Sequence, residues 1–181
     1  DVFSAAYNTD KVKKEELPTT YHDLLDPKWK GRLGIEAEDQ AWFATLVETL
    51  GEPQGTKLFK DIVSGNGLSV RKGHSLLTSL VASGEVPLAL SVYSWNPGQL
   101  KTKGAPIEGF LIQPVVAQFS TIAMLKNAPH PNAARLFMEF LCGPEFNEIL
   151  VKARYESMRA DVKPLPGAWP VSELKLIRPT L

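Results

Sequence analysis

The stretch from Lys72 to Asn96, KGHSLLTSLVASGEVPLALSVYSWN, constrains the fold of this chain more than any other. Leu76, Leu77, Leu80 and Val81 recur at helical spacing, Ser75 is placed to cap that helix, and Gly84 supplies a left-handed stop. Leu88 to Val92 then reads as a short strand whose apolar run does not alternate, as expected of a strand covered on both faces in a parallel sheet. The strand empties into Tyr93, Ser94 and Trp95, and Asn96-Pro97-Gly98 predicts a turn.

The same grammar continues upstream. Leu33 to Ile35 predicts a strand, Gln40 to Leu50 a helix closed by Gly51, and Pro53 to Val63 a second helix. After the loop Ser64-Gly65-Asn66-Gly67, Leu68 to Val70 predicts the next strand. Strand, helix, helix, strand, helix, strand is the order of an α/β fold with a parallel-rich sheet flanked by helices and right-handed crossovers. The opening residues predict a short strand that turns at Asn8-Thr9-Asp10, and YHDLL (Tyr21 to Leu25) a short helical segment ended by Asp26-Pro27.

Downstream, Phe110 to Val116 reads as a crossing segment and Ser120 to Leu125 as a strand. His130-Pro131-Asn132 starts a helix expected to bury Ala134, Leu136, Phe137, Phe140 and Leu141, and Gly143-Pro144 separates it from a helix over Glu145 to Lys152. Pro164, Pro166, Pro170 and Pro179 predict that the tail from Tyr155 is extended and stays out of any sheet. Cys142, the single cysteine, lies among Phe140, Leu141 and Phe146 and is expected to be a buried, inert thiol.

Composition narrows the function. Lys+Arg and Asp+Glu both total 20, so no overall field favours nucleic acid or an anionic membrane. No apolar run reaches the roughly 18 residues of a spanning helix. The chain carries no GxSxG elbow, HExxH helix, CxxC pair or phosphate-binding GxxxxGK loop, which argues against an enzyme. His22, His74 and His130 are far apart, so no histidine or cysteine cluster predicts a metal site, and no cofactor is expected. What remains is the sheet edge, where the helices after parallel strands aim their N-termini. Asp39, Gln40 and Trp42 follow the first strand, Lys72, His74 and Ser75 the second, and Ser91, Tyr93 and Trp95 close the third. That edge suits a small polar or zwitterionic solute with an unsaturated portion. Each residue also has a plainer role: Asp39 as a helix cap, Arg71 and Lys72 as partners of Glu36 or Glu38, His74 as a solvated turn residue, Trp42 as core. Tyr93 alone would offer one phenolate to a hard trivalent metal.

Tyr7-Asn8-Thr9, ELPTTYHDLLDPKWKGRLGI (Glu16 to Ile35), VASGEVPLAL (Val81 to Leu90) and APHPNAARLFMEFL (Ala128 to Leu141) followed by Gly143-Pro144-Glu145 resemble a known family. They are similar to the extracellular solute-binding proteins of ATP-binding-cassette importers, in the type II periplasmic-binding fold of ferric-iron, thiamine and polyamine binders. The resemblance implies two α/β lobes joined by hinge strands, with a solute enclosed between them and passed to a membrane permease. By this resemblance residues 1–9 form a hinge crossing, 10–109 the second ligand-binding lobe, 110–154 a return crossing with part of lobe one, and 155–181 the tail. It further implies a longer parent chain, of which this is a C-terminal fragment, and a full-length protein that is monomeric and periplasmic, or extracellular and lipid-anchored. Carried over by position, contacts fall at Asp39 to Trp42, at Lys72-Gly73-His74 and at Ser91 to Trp95. Ferric binders carry adjacent tyrosines in the last region, where this chain has Tyr93-Ser94-Trp95. A ferric relative using Tyr93, and a ligand-sensing or enzymatic module on the same fold, are the alternatives.

Overall fold

The computed structural model describes residues 1–157 and 159–179. Its chain divides into two compact units, Val2–Gln118 with the C-terminal residues from Lys175, and Phe119–Leu174 with Asp1.

The larger unit is built on β1 (Phe3–Asn8), β2 (Leu33–Glu36), β3 (Ser69–Arg71), β4 (Leu88–Tyr93) and β5 (Ile107–Phe110). These form one sheet in the order β3-β2-β4-β1-β5. β2 pairs in parallel with both β3 and β4, as the strand-helix alternation predicts. β1 is inserted antiparallel between β4 and β5. The helices are α1 (Gln40–Thr49), α2 (Glu52–Asn66), α3 (His74–Ser83) and α4 (Trp95–Thr102). β4 is central and covered on both faces: Leu88 and Leu90 join one apolar cluster with Trp29, Trp42, Leu46, Phe59 and Ile62, while Ala89 joins another with Leu77, Val81 and Ile107. That double burial is why its sequence does not alternate.

Local chemistry sets the finer features. Asn66, at the end of α2, is buried and donates from its amide to the carbonyls of Leu24 (2.7 Å) and Asp26 (2.9 Å), fastening the preceding loop. Asn8 likewise donates to the Val81 and Ala82 carbonyls at the end of α3 (2.9 and 3.1 Å). Gly84 takes the left-handed conformation expected of it (φ 80°).

Several expectations are corrected. The helix cap is Gly73, so α3 begins at His74 and Ser75 lies exposed in its first turn. The glycine at φ 102° lets the chain turn sharply, and the cap falls before the serine. Asn96-Pro97-Gly98 is inside α4 and not a turn: proline is tolerated in the first turn of a helix, and Asn96 and Pro97 are buried there. The tail contributes a strand after all. Leu176–Ile177 (β7) pairs in parallel with Val115–Val116 (β6), because no proline falls between Pro170 and Pro179 to interrupt the pairing.

In the smaller unit, α5 (Pro131–Cys142) and α6 (Pro144–Lys152) form where predicted. Ser120 to Leu125, however, is exposed and forms no strand. α5 buries none of its residues, and Leu136 (69%), Phe137 (59%) and Phe140 (43%) are exposed. Cys142 is exposed too, since the apolar neighbours that were to cover it are themselves uncovered. Asn147 anchors this unit by donating to the Leu141 and Gly143 carbonyls (3.2 and 2.9 Å) and accepting from the Ser157 hydroxyl (2.9 Å).

Candidate functional site

Parallel pairing sends the ends of β2, β3 and β4 to one edge of the sheet. Because β1 is antiparallel, its start returns to the same edge, and Phe3 stands in register with Tyr93. A cavity of about 340 Å³ lies there, lined by three carboxylates, Glu36, Glu38 and Asp39, and by Gln40, Trp42, His74 and Tyr93, with Phe3, Ala41, Gly73 and Gln118 completing it.

Glu36, the last residue of β2, is 5% exposed. Its Oε1 accepts the N–H of Gly73 (2.8 Å) and its Oε2 that of Glu38 (2.6 Å), while its own N–H donates to the Ser91 hydroxyl (3.3 Å). Burial pushes its pKa up, but the N–H groups of Gly73 and Glu38, the charge of His74 and the N–H of Ala37 together hold it below the ordinary glutamate value. A buried anion is thus fixed in place by backbone donors from two loops.

Asp39 stands at the N-cap of α1, yet makes no side-chain cap hydrogen bond. Its Oδ1 instead lies 3.1 Å from His74 Nε2, in a pair whose side chains are only 8% and 14% exposed, respectively. Asp39 Oδ2 and His74 Nδ1 are buried with no hydrogen-bond partner among the described residues. The His74 ring is held against Tyr93 (centroids 3.9 Å apart, 36°) and near Phe3 (6.0 Å), so it is not a solvated turn residue. Tyr93 also stacks on Trp95 (6.1 Å, 16°). Burial, then the charges of Asp39 and Glu36, raise the Tyr93 phenol above its ordinary pKa.

Of the residues selected from sequence, the fold brings Asp39, Gln40, Trp42, His74 and Tyr93 around one cavity. Trp42 is 1% exposed and packs edge-on against Tyr21 and Phe59, so it supports the cavity from the core and offers no open stacking face. Lys72 points to solvent and pairs with Glu38 (2.7 Å), a hydrogen bond that raises its pKa; Arg71 pairs with Glu85 (3.5 Å). Ser75, whose carbonyl accepts from the Ser79 hydroxyl, lies outside the lining, as does Trp95 behind Tyr93. Ser91 is fully buried beneath Glu36. Sequence reasoning did not select Phe3, Glu36, Glu38 or Gln118; Gly73 was reached only through the resemblance. Glu36 and Glu38 were visible beside Asp39 in the loop after the first strand, but Phe3 required the direction of β1.

The three histidines are far apart in sequence, but the fold gathers a mixed donor group: ligand atoms of Glu36, Asp39 and His74 all lie within 4.8 Å of one another. Two carboxylates and an imidazole are a donor set for a cation, whether a metal ion or a protonated amine or guanidinium.

Residues 1–168 match the family described as bacterial extracellular solute-binding protein. Iron uptake protein A1 of Synechocystis sp. is 31% identical over 166 residues, covering 83% of this chain and 46% of that protein. The Fe(3+)-binding periplasmic protein of Serratia marcescens is 26% identical over 156 residues, covering 80% of this chain and 45% of its own. The chain therefore spans about half the length of the curated relatives it matches. Among solved structures, the iron-bound HitA of Pseudomonas aeruginosa superimposes with a TM-score of 0.75 at 23% identity, covering 97% of this chain and 61% of that one. The periplasmic binding protein AfuA of Actinobacillus pleuropneumoniae, with fructose-6-phosphate bound, does so at 0.76 and 25% identity, covering 97% and 58%. From the sheet order and the matched residues together, the chain belongs to the bacterial extracellular solute-binding proteins, which work in the periplasm or outside the cell.

Proposed function

We propose that the protein captures a small cationic solute between two lobes and delivers it to the membrane permease of an ATP-binding-cassette importer, acting as a monomeric binding protein and not as an enzyme. The observation that carries this reading is the cavity at the sheet edge, lined by the three carboxylates Glu36, Glu38 and Asp39, with Lys72 outside the lining and paired with Glu38 at the rim. Oriented carboxylates at low exposure recognise a cation by charge. On this reading residues 1–9 and the return segment that starts at Phe110 are the hinge crossings, and the solute stabilises the closed form through contacts the open form lacks. Titration calorimetry against a panel of cationic, neutral and anionic solutes tests it. Saturable binding of a cationic member is expected, and binding confined to anions overturns it.

A second reading takes ferric iron as the cargo with Tyr93 as a phenolate ligand, favoured by the position of Tyr93 facing Asp39 and Glu36 and by the iron-binding names of the relatives. Its signature is a visible charge-transfer band on adding ferric iron that is lost in Tyr93→Phe.

A further inference from the structure

We propose that Glu36, Asp39 and His74 form a binding site for a divalent first-row transition metal ion, held by one imidazole nitrogen and two carboxylate oxygens. This inference rests on the reading of the cavity as a cation site and names the cation.

The donors are already assembled. Their ligand atoms lie within 4.8 Å of one another, and His74 Nε2 is 3.1 Å from Asp39 Oδ1. An ion about 2.1 Å from each of two such atoms sees them at roughly a right angle, the cis geometry of an octahedral site. The widest separation needs to close by only about half an ångström to span such an ion. The remaining positions suit water or a group from elsewhere in the protein.

An independent observation points the same way. The Asp39 side chain is 8% exposed and lines the cavity, yet its Oδ2 has no hydrogen-bond partner among the described residues. Leaving a buried carboxylate oxygen unsatisfied is costly, and a cation satisfies it. The supports around the donors are of the kind metal sites use. Glu36 is oriented by the N–H groups of Gly73 and Glu38, and the His74 ring is fixed between Phe3 and Tyr93.

Charge and softness select the ion class. Two carboxylates balance a divalent ion, and an imidazole donor disfavours calcium and magnesium, which take all-oxygen shells.

The test uses Co²⁺ alone, added to the chain and followed by its visible absorption and by calorimetry. Wild type is expected to bind one equivalent with imidazole-perturbed bands. Asp39→Asn and His74→Gln are each expected to weaken binding at least tenfold, and Asp61→Asn on α2 to leave it within twofold. Circular dichroism melting of every variant shows that it is folded; if Asp39→Asn is not, His74→Gln decides. Equal affinity in wild type and both site variants overturns the site. Failure to bind Co²⁺ while a cationic organic solute still binds overturns the metal ion and leaves the capture reading standing. Failure of Co²⁺ and of every solute in the panel overturns both.

Discussion

Glu36 shows how far a single side chain can be read from sequence. Its position after a strand was legible; its burial and its two backbone donors were not, because Gly73 comes from a loop 37 residues away. Hydrogen bonds from N–H groups to an ionised carboxylate contribute roughly 1.5–3 kcal/mol each. Glutamine in its place keeps one acceptor but turns an N–H donor toward a second N–H. Glu36→Gln is therefore expected to lose about 1–3 kcal/mol of stability at pH 7. The sign of the pH dependence follows from the lowered pKa of Glu36. The unfolded chain, with a glutamate pKa of about 4.3, binds the proton first, so this stabilisation is complete above that value and fades as pH falls through the lower folded value. Thermal melts between pH 7 and pH 3 should show wild type and Glu36→Gln converging as the pH drops; a constant gap would show that the charge of Glu36 is not what holds the two loops.

Between elements, the packing of α1 on α2 gives a sharper case. Both helices were legible from periodicity, but their contact was not. Gly55 lies in α2, where glycine ordinarily costs about 0.5–1 kcal/mol relative to alanine. Here a β-carbon would stand 2.8 Å from Val47 Cα and 2.9 Å from its carbonyl oxygen, backbone atoms that cannot rotate away. Gly55→Ala should therefore destabilise by about 1–3 kcal/mol, a fall in Tm of several degrees. Gly65, in the same helix with nothing within 4 Å, is the matched control, and Gly65→Ala should be neutral or raise Tm slightly. Parallel changes in the two variants would mean that propensity, and not helix contact, governs α2. The same limit explains the missed turn and strand: Asn96-Pro97-Gly98 and Ser120 to Leu125 have local sequences consistent with either outcome, and tertiary context decides.

At the scale of the whole molecule, amphipathicity predicted α5 and α6 correctly but predicted the burial of α5 wrongly. A periodic apolar stripe reports what a helix is suited to bury, whereas burial also requires a partner. The two units should consequently differ in local stability, since opening free energy follows buried apolar contact. In the Val2–Gln118 unit, β1 and β4 are almost wholly buried, with Ala6, Leu88 and Ala89 at 0% exposure. In the Phe119–Leu174 unit α5 buries nothing, and α6 buries only Asn147 and Val151. Hydrogen exchange on this chain should therefore find the amides of β1 and β4 protected to near the global unfolding limit, with α5 exchanging at least a hundredfold faster. The exposed Leu136, Phe137 and Phe140 should also bind a hydrophobic dye, and Phe137→Glu should reduce that fluorescence without shifting the protection of β4. Equal protection in α5 and β4, or dye binding untouched by Phe137→Glu, would mean that the stripe is covered in solution by a contact of its own.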